Sequence, residues 1–219
     1  MNAILQASSE NQANVVSRVS SMAEQVENMI DAAIQALLGF NQSLAQTVEK
    51  QEQEVNRKAA LIAVELGAIA NSSASRQDVR EAAAMLKINQ DLQHLAGLAA
   101  GIARRILLVT DPGEMQELAQ LQPLAIAVAH VSRKTLRALV RQDLLLARNV
   151  VASGGLVDDY RSYAFDRLRE QYDGWKSETE AAYLLAASQS LEHVADYSTT
   201  VAKNVICWLD KQNACGHAA

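Results

Sequence analysis

The sequence predicts an all-α protein built as two tandem three-helix bundles, six helices in all. Three observations lead to this prediction. The 219 residues include only 2 prolines and 9 glycines, and 4% are aromatic, so strong helix formers dominate over strand-forming residues. Apolar residues recur at helical spacing between well-separated turn signals. The chain also repeats its own pattern at an interval of about 100 residues, which indicates an internal duplication.

The internal repeat rests on two matches in the same order. Residues 91–106 match residues 190–205 at an offset of 190 − 91 = 99, with leucine, histidine and alanine pairs in register. Residues 36–56 match residues 138–158 at an offset of 138 − 36 = 102. One match alone could arise by chance, but two with nearly equal offsets indicate two similar units.

Three helices are predicted in the first unit. The first helix carries apolar residues at helical spacing, namely Met22, Val26, Met29, Ala33 and Leu37. It closes near Gly39, and Asn41 is a good N-cap for a second helix that runs to about Ile69. Residues 71–75 mark a turn, and a third helix is predicted over residues 76–108.

The second unit repeats this plan with different turn residues. Pro123 suits an early position in its first helix, Asp143 replaces Asn41 as a cap, and Gly174 separates its last two helices. Because the connections are short, neighbouring helices are expected to pack antiparallel. The predicted organisation is an N-terminal extension (1–19), a first unit (20–110), a second unit (113–211) and a tail (212–219).

Charge and composition argue against several functional classes. The net charge of -5 and the pI near 5.4 give no basic face for nucleic acid. No apolar run reaches the roughly 20 residues that cross a bilayer, and the N-terminus lacks the pattern of a signal peptide. Without an export signal the two cysteines are better interpreted as thiols, so a cytoplasmic protein is expected.

Catalytic motifs are missing from the sequence. It contains no ExxH pair of the kind that di-iron bundles use, and no P-loop, HExxH or CxxC. Neither cysteine lies in a motif that would make it a nucleophile. We therefore expect that the protein is not an enzyme.

Several short elements, taken in order, carry a family resemblance. They are a capping Asn or Asp before L-A-x-x-V, then V-N or V-D, then D-V-R, then L-E-x-x-x-D before V-A. In this sequence they lie at Asn41, Leu44, Ala45, Val48, Val55, Asn56, Asp78, Val79, Arg80, Leu191, Glu192, Asp196, Val201 and Ala202. This order, and its duplication, resembles the PhoU family over about residues 20–210.

The resemblance implies a fold, a function and partners. It implies two three-helix bundles that act as a negative regulator of phosphate uptake and phosphate-responsive signalling. The implied partners are a phosphate transporter ATPase, a sensor histidine kinase or both, and the membrane is reached only through a partner. Members of the family can carry metal ions on surface carboxylates, with an E/DxxxD motif on the third helix and acidic residues on the second.

The metal motif is best matched in the second unit. Glu192 and Asp196 match the third-helix pair, and Asp158 matches a second-helix carboxylate whose companion is replaced by Gly154. Helical spacing places Glu192 and Asp196 away from the apolar stripe, so they face outward. Hard oxygen ligands suit Mg, Ca, Mn or Fe, as a divalent ion or an iron cluster. An ordinary solvated acidic face is the alternative.

The first unit keeps less of the motif. Gln93 and Gly97 stand where the third-helix carboxylates would be, while Glu52 and Asn56 keep the second-helix spacing. At most one of the two clusters is therefore expected to be competent for metal. Gly97 and Gly101 create a small-residue face, which predicts close contact with another helix across a homodimer; drift after the loss of a metal site is the alternative.

Other interpretations stay open at the level of sequence. Arg133, Arg137 and Arg141 form a basic ridge that is either a solvated face or a surface for an acidic partner. The same helical bundle could serve as a carboxylate-metal enzyme or a metal store, or as an adaptor for an unrelated partner. Sequence alone does not separate the adaptor from the phosphate regulator.

Overall fold

Helices account for the architecture of the chain. A computed structural model describes residues 2–72, 75–108, 121–153 and 178–210, together with residues 159, 162 and 166. The four continuous ranges form six α-helices, and no strand occurs among the described residues. They are α1 (Asn2–Gly39), α2 (Gln42–Asn71), α3 (Arg76–Leu107), α4 (Gln122–Val140), α5 (Leu144–Ala152) and α6 (Glu178–Leu209). Residues 159, 162 and 166 are also helical. The all-α prediction is confirmed.

The helix boundaries of the first unit follow the turn signals closely. The second helix was expected to end near Ile69 and ends at Asn71, and the third was expected over 76–108 and spans Arg76–Leu107. The five apolar residues predicted to line α1 are all buried, with at most 1% of their surface exposed. The expected breaks at residues 111–113 and at Gly174 lie outside the described residues.

The first helix is longer than the sequence analysis anticipated. It begins at Asn2, so the described part of the expected N-terminal extension is continuous with the helix. Val15 and Val19 continue the apolar stripe of Met22 one and two turns upstream, and both are buried. Arg18 forms an ion pair with Glu65 of α2. The end of this segment therefore packs as part of the first bundle.

The two units share the same connection between their first two helices. Phe40 and Gln142 both have a positive φ, of 50° and 52°, and they lie 102 residues apart in the chain. Each is followed by an N-cap, Asn41 or Asp143, whose side chain accepts a hydrogen bond from the backbone N–H three residues on, at 3.0 and 2.9 Å. Both predicted caps are confirmed, and the duplication extends to backbone conformation.

A capping box begins the third helix. The Ser75 hydroxyl accepts a hydrogen bond from the Asp78 backbone N–H at 3.2 Å, and the Asp78 carboxylate accepts one from the Ser75 backbone N–H at 2.9 Å. This reciprocal pair satisfies two donors at the start of α3. The sequence analysis placed a turn here without identifying the box.

Four helices form a closed ring, and the other two flank it. Helix α1 packs against α3, α3 against α6, α6 against α4, and α4 against α1; α2 packs on α1 and α3, and α5 on α4 and α6. Each unit is thus a three-helix bundle, and the two bundles join through their first and third helices. One hydrophobic core runs through both units.

Polar contacts between the two units join residues at corresponding positions of the repeat. Arg133 of α4 pairs with Asp31 of α1 at 2.7 Å, and the two residues are counterparts at the offset of 102. Between the antiparallel helices α3 and α6, Asn204 donates to Asp91 and Arg105 donates to Ser190. At the offset of 99, Asp91 corresponds to Ser190 and Arg105 to Asn204. The units are therefore related by an approximate two-fold axis.

Cys207, near the end of α6, is disulfide-bonded, whereas thiols were the preferred interpretation. Within the part of the chain that the structure describes, no helix combines the length and apolar character needed to cross a bilayer.

Candidate functional site

The four first-unit positions that correspond to the metal motif meet between α2 and α3. We call Glu52, Asn56, Gln93 and Gly97 the first-unit quartet. The Gln93 amide donates to Asn56 Oδ1 at 2.9 Å. A Cβ atom at Gly97 would lie 3.6 Å from Glu52 Oε1. The structure therefore brings together all four residues that the sequence analysis connected, and Glu52 is the only carboxylate among them.

A positive charge lies against this quartet. Arg104, on α3, donates from Nη1 to Glu52 Oε2 at 2.7 Å. The Glu52 side chain is 20% exposed and that of Arg104 is 46% exposed, so the pair is partly screened by solvent. The sequence analysis did not connect Arg104 with these positions.

The second-unit carboxylates lie on one face of α6. Glu192 is half-buried and Asp196, one turn further along, is exposed. Asp158, the predicted contribution from the second helix of this unit, lies outside the described residues, as does Gly154. Among the residues that are described, no three His, Cys, Asp or Glu side chains are grouped so as to hold a metal ion. Metal binding at Glu192, Asp196, Asp158, Glu52 and Asn56 stays a prediction.

The two glycines of the small-residue face of α3, Gly97 and Gly101, have different neighbours. Gly97 lies beside Glu52 of the same chain, so the space next to this glycine is occupied from within the first unit. A Cβ atom at Gly101 would meet no atom within 4 Å. The homodimer remains a prediction, and Gly101→Leu is a better probe of it than Gly97→Leu, because a side chain at position 97 would contact Glu52 of the same chain.

The predicted basic ridge of α4 has partners within the chain. Arg133 contacts Asp31 at 2.7 Å and Glu27 at 3.5 Å, and Arg137 contacts Glu27 at 3.7 Å. The hydrogen bond and the charge of Asp31 raise the pKa of Arg133. Two of the three arginines thus join α4 to α1, and Arg141 is exposed beyond them. Neither alternative from the sequence foresaw this intramolecular role.

Buried polar groups lie where α3 and α6 meet. Burial raises the pKa of Asp91 above its ordinary value, and the hydrogen bond from Asn204 and the charges of Lys87 and His94 oppose that shift. Burial also raises the pKa of Tyr183 to about 12, against the opposing charge of Arg105. The exposed ring of His94 packs on Tyr197 with centroids 3.9 Å apart.

Sequence reasoning missed these contacts between the units. Asp91 and Asn204 are polar residues at otherwise apolar positions of their helices, and that mismatch was the available signal. Their pairing was out of reach because it depends on how α3 crosses α6, which helical spacing within one element does not determine.

Fold and site together define a class, namely duplicated three-helix-bundle proteins with a polar cluster between the second and third helices of a unit. The family model described as PhoU domain matches residues 19–106 and residues 124–205. The chain therefore belongs to the PhoU family and contains two copies of the domain.

Relatives and solved structures agree with this assignment. A protein of Xylella fastidiosa (strain Temecula1) is 22% identical over 197 residues, covering 90% of this chain and 82% of its own, and is named a phosphate-specific transport system accessory protein PhoU homolog. A protein of Caulobacter vibrioides (strain NA1000) with the same name is 26% identical over 203 residues, covering 89% of this chain and 86% of its own.

The fold matches two crystal structures over nearly their whole length. PhoU from Pseudomonas aeruginosa superposes with a TM-score of 0.85 at 23% identity, covering 92% of this chain and 98% of that one. The phosphate transport system regulatory protein PhoU from Streptococcus pneumoniae gives a TM-score of 0.83 at 15% identity, covering 96% and 100%. At these identities the likeness establishes the fold.

Proposed function

We propose that this protein is a cytoplasmic negative regulator of phosphate uptake and of phosphate-responsive signalling. The observation that carries the proposal is the PhoU domain match to both units. Relatives that align with about nine-tenths of the chain bear names of phosphate-specific transport accessory proteins, which supports the same function.

The regulator acts through protein contacts with a phosphate transporter ATPase, a sensor histidine kinase or both. An apolar stripe on the outer side of α2 is available for such a contact. The α2 stripe consists of Ala60, Leu61, Val64 and Ala68, which are all exposed. Leu61 is 57% exposed and Val64 is 72% exposed, on a helix that flanks the ring. Adjacent exposed apolar residues suit contact with another protein.

A metal ion, where the protein holds one, belongs to the second unit. Glu192 and Asp196 lie one turn apart on α6, and Asp158 is the third carboxylate that the family motif assigns to this unit. Carboxylate oxygens would favour Mg, Mn, Ca or Fe over softer metals. Glu192→Gln with Asp196→Asn is expected to lower the metal content of the purified protein, measured by mass spectrometry of the elements.

The regulatory function is tested by deleting the gene in the host. We expect higher phosphate uptake and higher phosphate-responsive expression in high phosphate, measured with radiolabelled phosphate and a reporter. Expression of the wild-type chain should reverse both changes. An unchanged response in high and in low phosphate would contradict the proposed function.

The protein contacts are tested with the tagged chain, recovered from its own host grown in high phosphate. Mass spectrometry should identify a transporter ATPase or a sensor kinase. Leu61→Ser with Val64→Ser should reduce the recovered partner, while the control Leu145→Ser should not, because Leu145 is 69% exposed but lies on α5. Recovery of unrelated partners alone would favour the adaptor function instead.

A further inference from the structure

The acceptor atoms of the first-unit quartet are already engaged by donors of the same chain. Glu52 Oε2 accepts from the Arg104 guanidinium at 2.7 Å, and Asn56 Oδ1 accepts from the Gln93 amide at 2.9 Å. Guanidinium and amide N–H groups are donors and do not ligate cations. A Ca²⁺ or Mg²⁺ ion takes about six or more oxygen ligands. The quartet offers one carboxylate for that purpose, and it is neutralised.

The placement of Arg104 explains how one carboxylate is satisfied without a metal. Arg104 lies seven residues after Gly97, two turns along the same face of α3. The Glu52 carboxylate turns Oε1 toward the Gly97 position, at 3.6 Å from a Cβ atom there, and Oε2 toward Arg104. A single carboxylate thus bridges the vacant motif position and the guanidinium.

The motif positions of the two units also differ in net charge. The first-unit quartet with Arg104 sums to zero, since Glu52 and Arg104 cancel. The corresponding second-unit set, Gly154, Asp158, Glu192 and Asp196, carries three carboxylates against Lys203, which is the counterpart of Arg104 at the offset of 99. Only the second set keeps the negative charge that attracts a divalent cation.

We propose that Arg104 takes the place of a metal ion in the first unit, so that the first-unit quartet binds no divalent cation and joins α2 to α3 through an internal ion pair. The α2–α3 contact of the first unit is then independent of metal.

The test uses Mn²⁺ binding to the purified full chain with Glu192→Gln and Asp196→Asn, which removes the second-unit carboxylates of α6. Free Mn²⁺ is measured by electron paramagnetic resonance. In this background we expect no more bound Mn²⁺ than in a variant that also carries Glu52→Gln. Mn²⁺ that binds in the background and is lost with Glu52→Gln would overturn the proposal.

A second comparison isolates Arg104. Gln93→Glu and Gly97→Asp restore the motif in the same background, and an Asp Cβ fits because 3.6 Å is an ordinary van der Waals distance. With Arg104 retained, we expect Mn²⁺ affinity at least 10-fold weaker than with Arg104→Gln added. Equal affinities, or no binding in either variant, would overturn the proposal. Circular dichroism of each variant checks that the helices are intact.

Discussion

Equivalent residues of the two units share a backbone conformation but differ in their side-chain contacts. Phe40 and Gln142 occupy the same left-handed backbone position, yet only Phe40 has a structural role for its side chain, since it stacks on Tyr183 with centroids 6.2 Å apart. Gln142 is exposed. A side chain in this conformation costs roughly 1–2 kcal/mol. That cost is offset at Phe40 by packing and is left uncompensated at Gln142.

Replacement of Gln142 by glycine should therefore stabilise the protein. We expect a gain of about 0.5–1 kcal/mol, because relief of the backbone strain exceeds the entropy that glycine loses on folding. Thermal unfolding should show a melting temperature about 1–3 °C higher. Phe40→Gly is the matched control and should lower the melting temperature, since the ring contact is lost. A Gln142→Gly protein less stable than the wild type would contradict this account.

Among the helices, apolar spacing predicts the stripe of α1, and side-chain caps begin α2, α3 and α5. The α1 stripe was read from sequence spacing, and Asn41 and Asp143 begin α2 and α5 as their chemistry predicts. The Ser75–Asp78 box begins α3 by the same chemistry. These elements are local because the donor and acceptor of each cap lie within three residues of each other.

Removal of either cap should destabilise the fold by a similar amount. Asn41→Ala and Asp143→Ala are each expected to cost about 1 kcal/mol, because one N–H group at the start of the helix loses its acceptor. Urea unfolding followed by circular dichroism measures the loss. The exchanged variants Asn41→Asp and Asp143→Asn keep an acceptor and should stay close to the wild type. A cost confined to one of the two sites would argue against equivalent hairpins.

At the scale of the whole molecule, the ring of α1, α3, α6 and α4 joins the two units. The joint is mostly apolar, with polar pairs at related positions, and the buried carboxylate of Asp91 is the least favourable of these. Burial raises its pKa, so between the ordinary and the raised pKa the folded protein keeps a proton that the unfolded chain has released. The stability that Asp91 contributes is therefore lost as the pH rises from 3.8, its ordinary pKa, through its raised pKa in the folded protein.

Asp91→Asn should remove this dependence. Its amide oxygen can still accept from Asn204, and an amide has no proton to lose as the pH rises. We expect the variant to gain stability relative to the wild type as pH rises through that window, and the gain to disappear at lower pH. Urea unfolding of both proteins across the acid range measures the difference, in which other titrating groups cancel. A variant that becomes less stable relative to the wild type as the pH rises would refute the predicted sign of the effect.

The features that could be predicted from the sequence are those that depend on local chemistry and on periodic burial. The all-α class, the duplication, the caps at Asn41 and Asp143, the limits of α2 and α3 and the family resemblance could all be read from residue types at short spacing. The quartet of Glu52, Asn56, Gln93 and Gly97 was also assembled from sequence, because the motif fixes positions on two adjacent antiparallel helices.

Which side chains meet between different helices depends on the tertiary packing. The pairing of Arg104 with Glu52, of Arg133 with Asp31 and of Asp91 with Asn204 depends on the axial shift and rotation of one helix against another. Those are set by the sum of many apolar contacts, each of order 0.1–0.2 kcal/mol per atom pair, and no short stretch of sequence contains that sum. The sequence therefore specified the helices and the motif, and packing determined that Arg104 meets the motif's one remaining first-unit carboxylate.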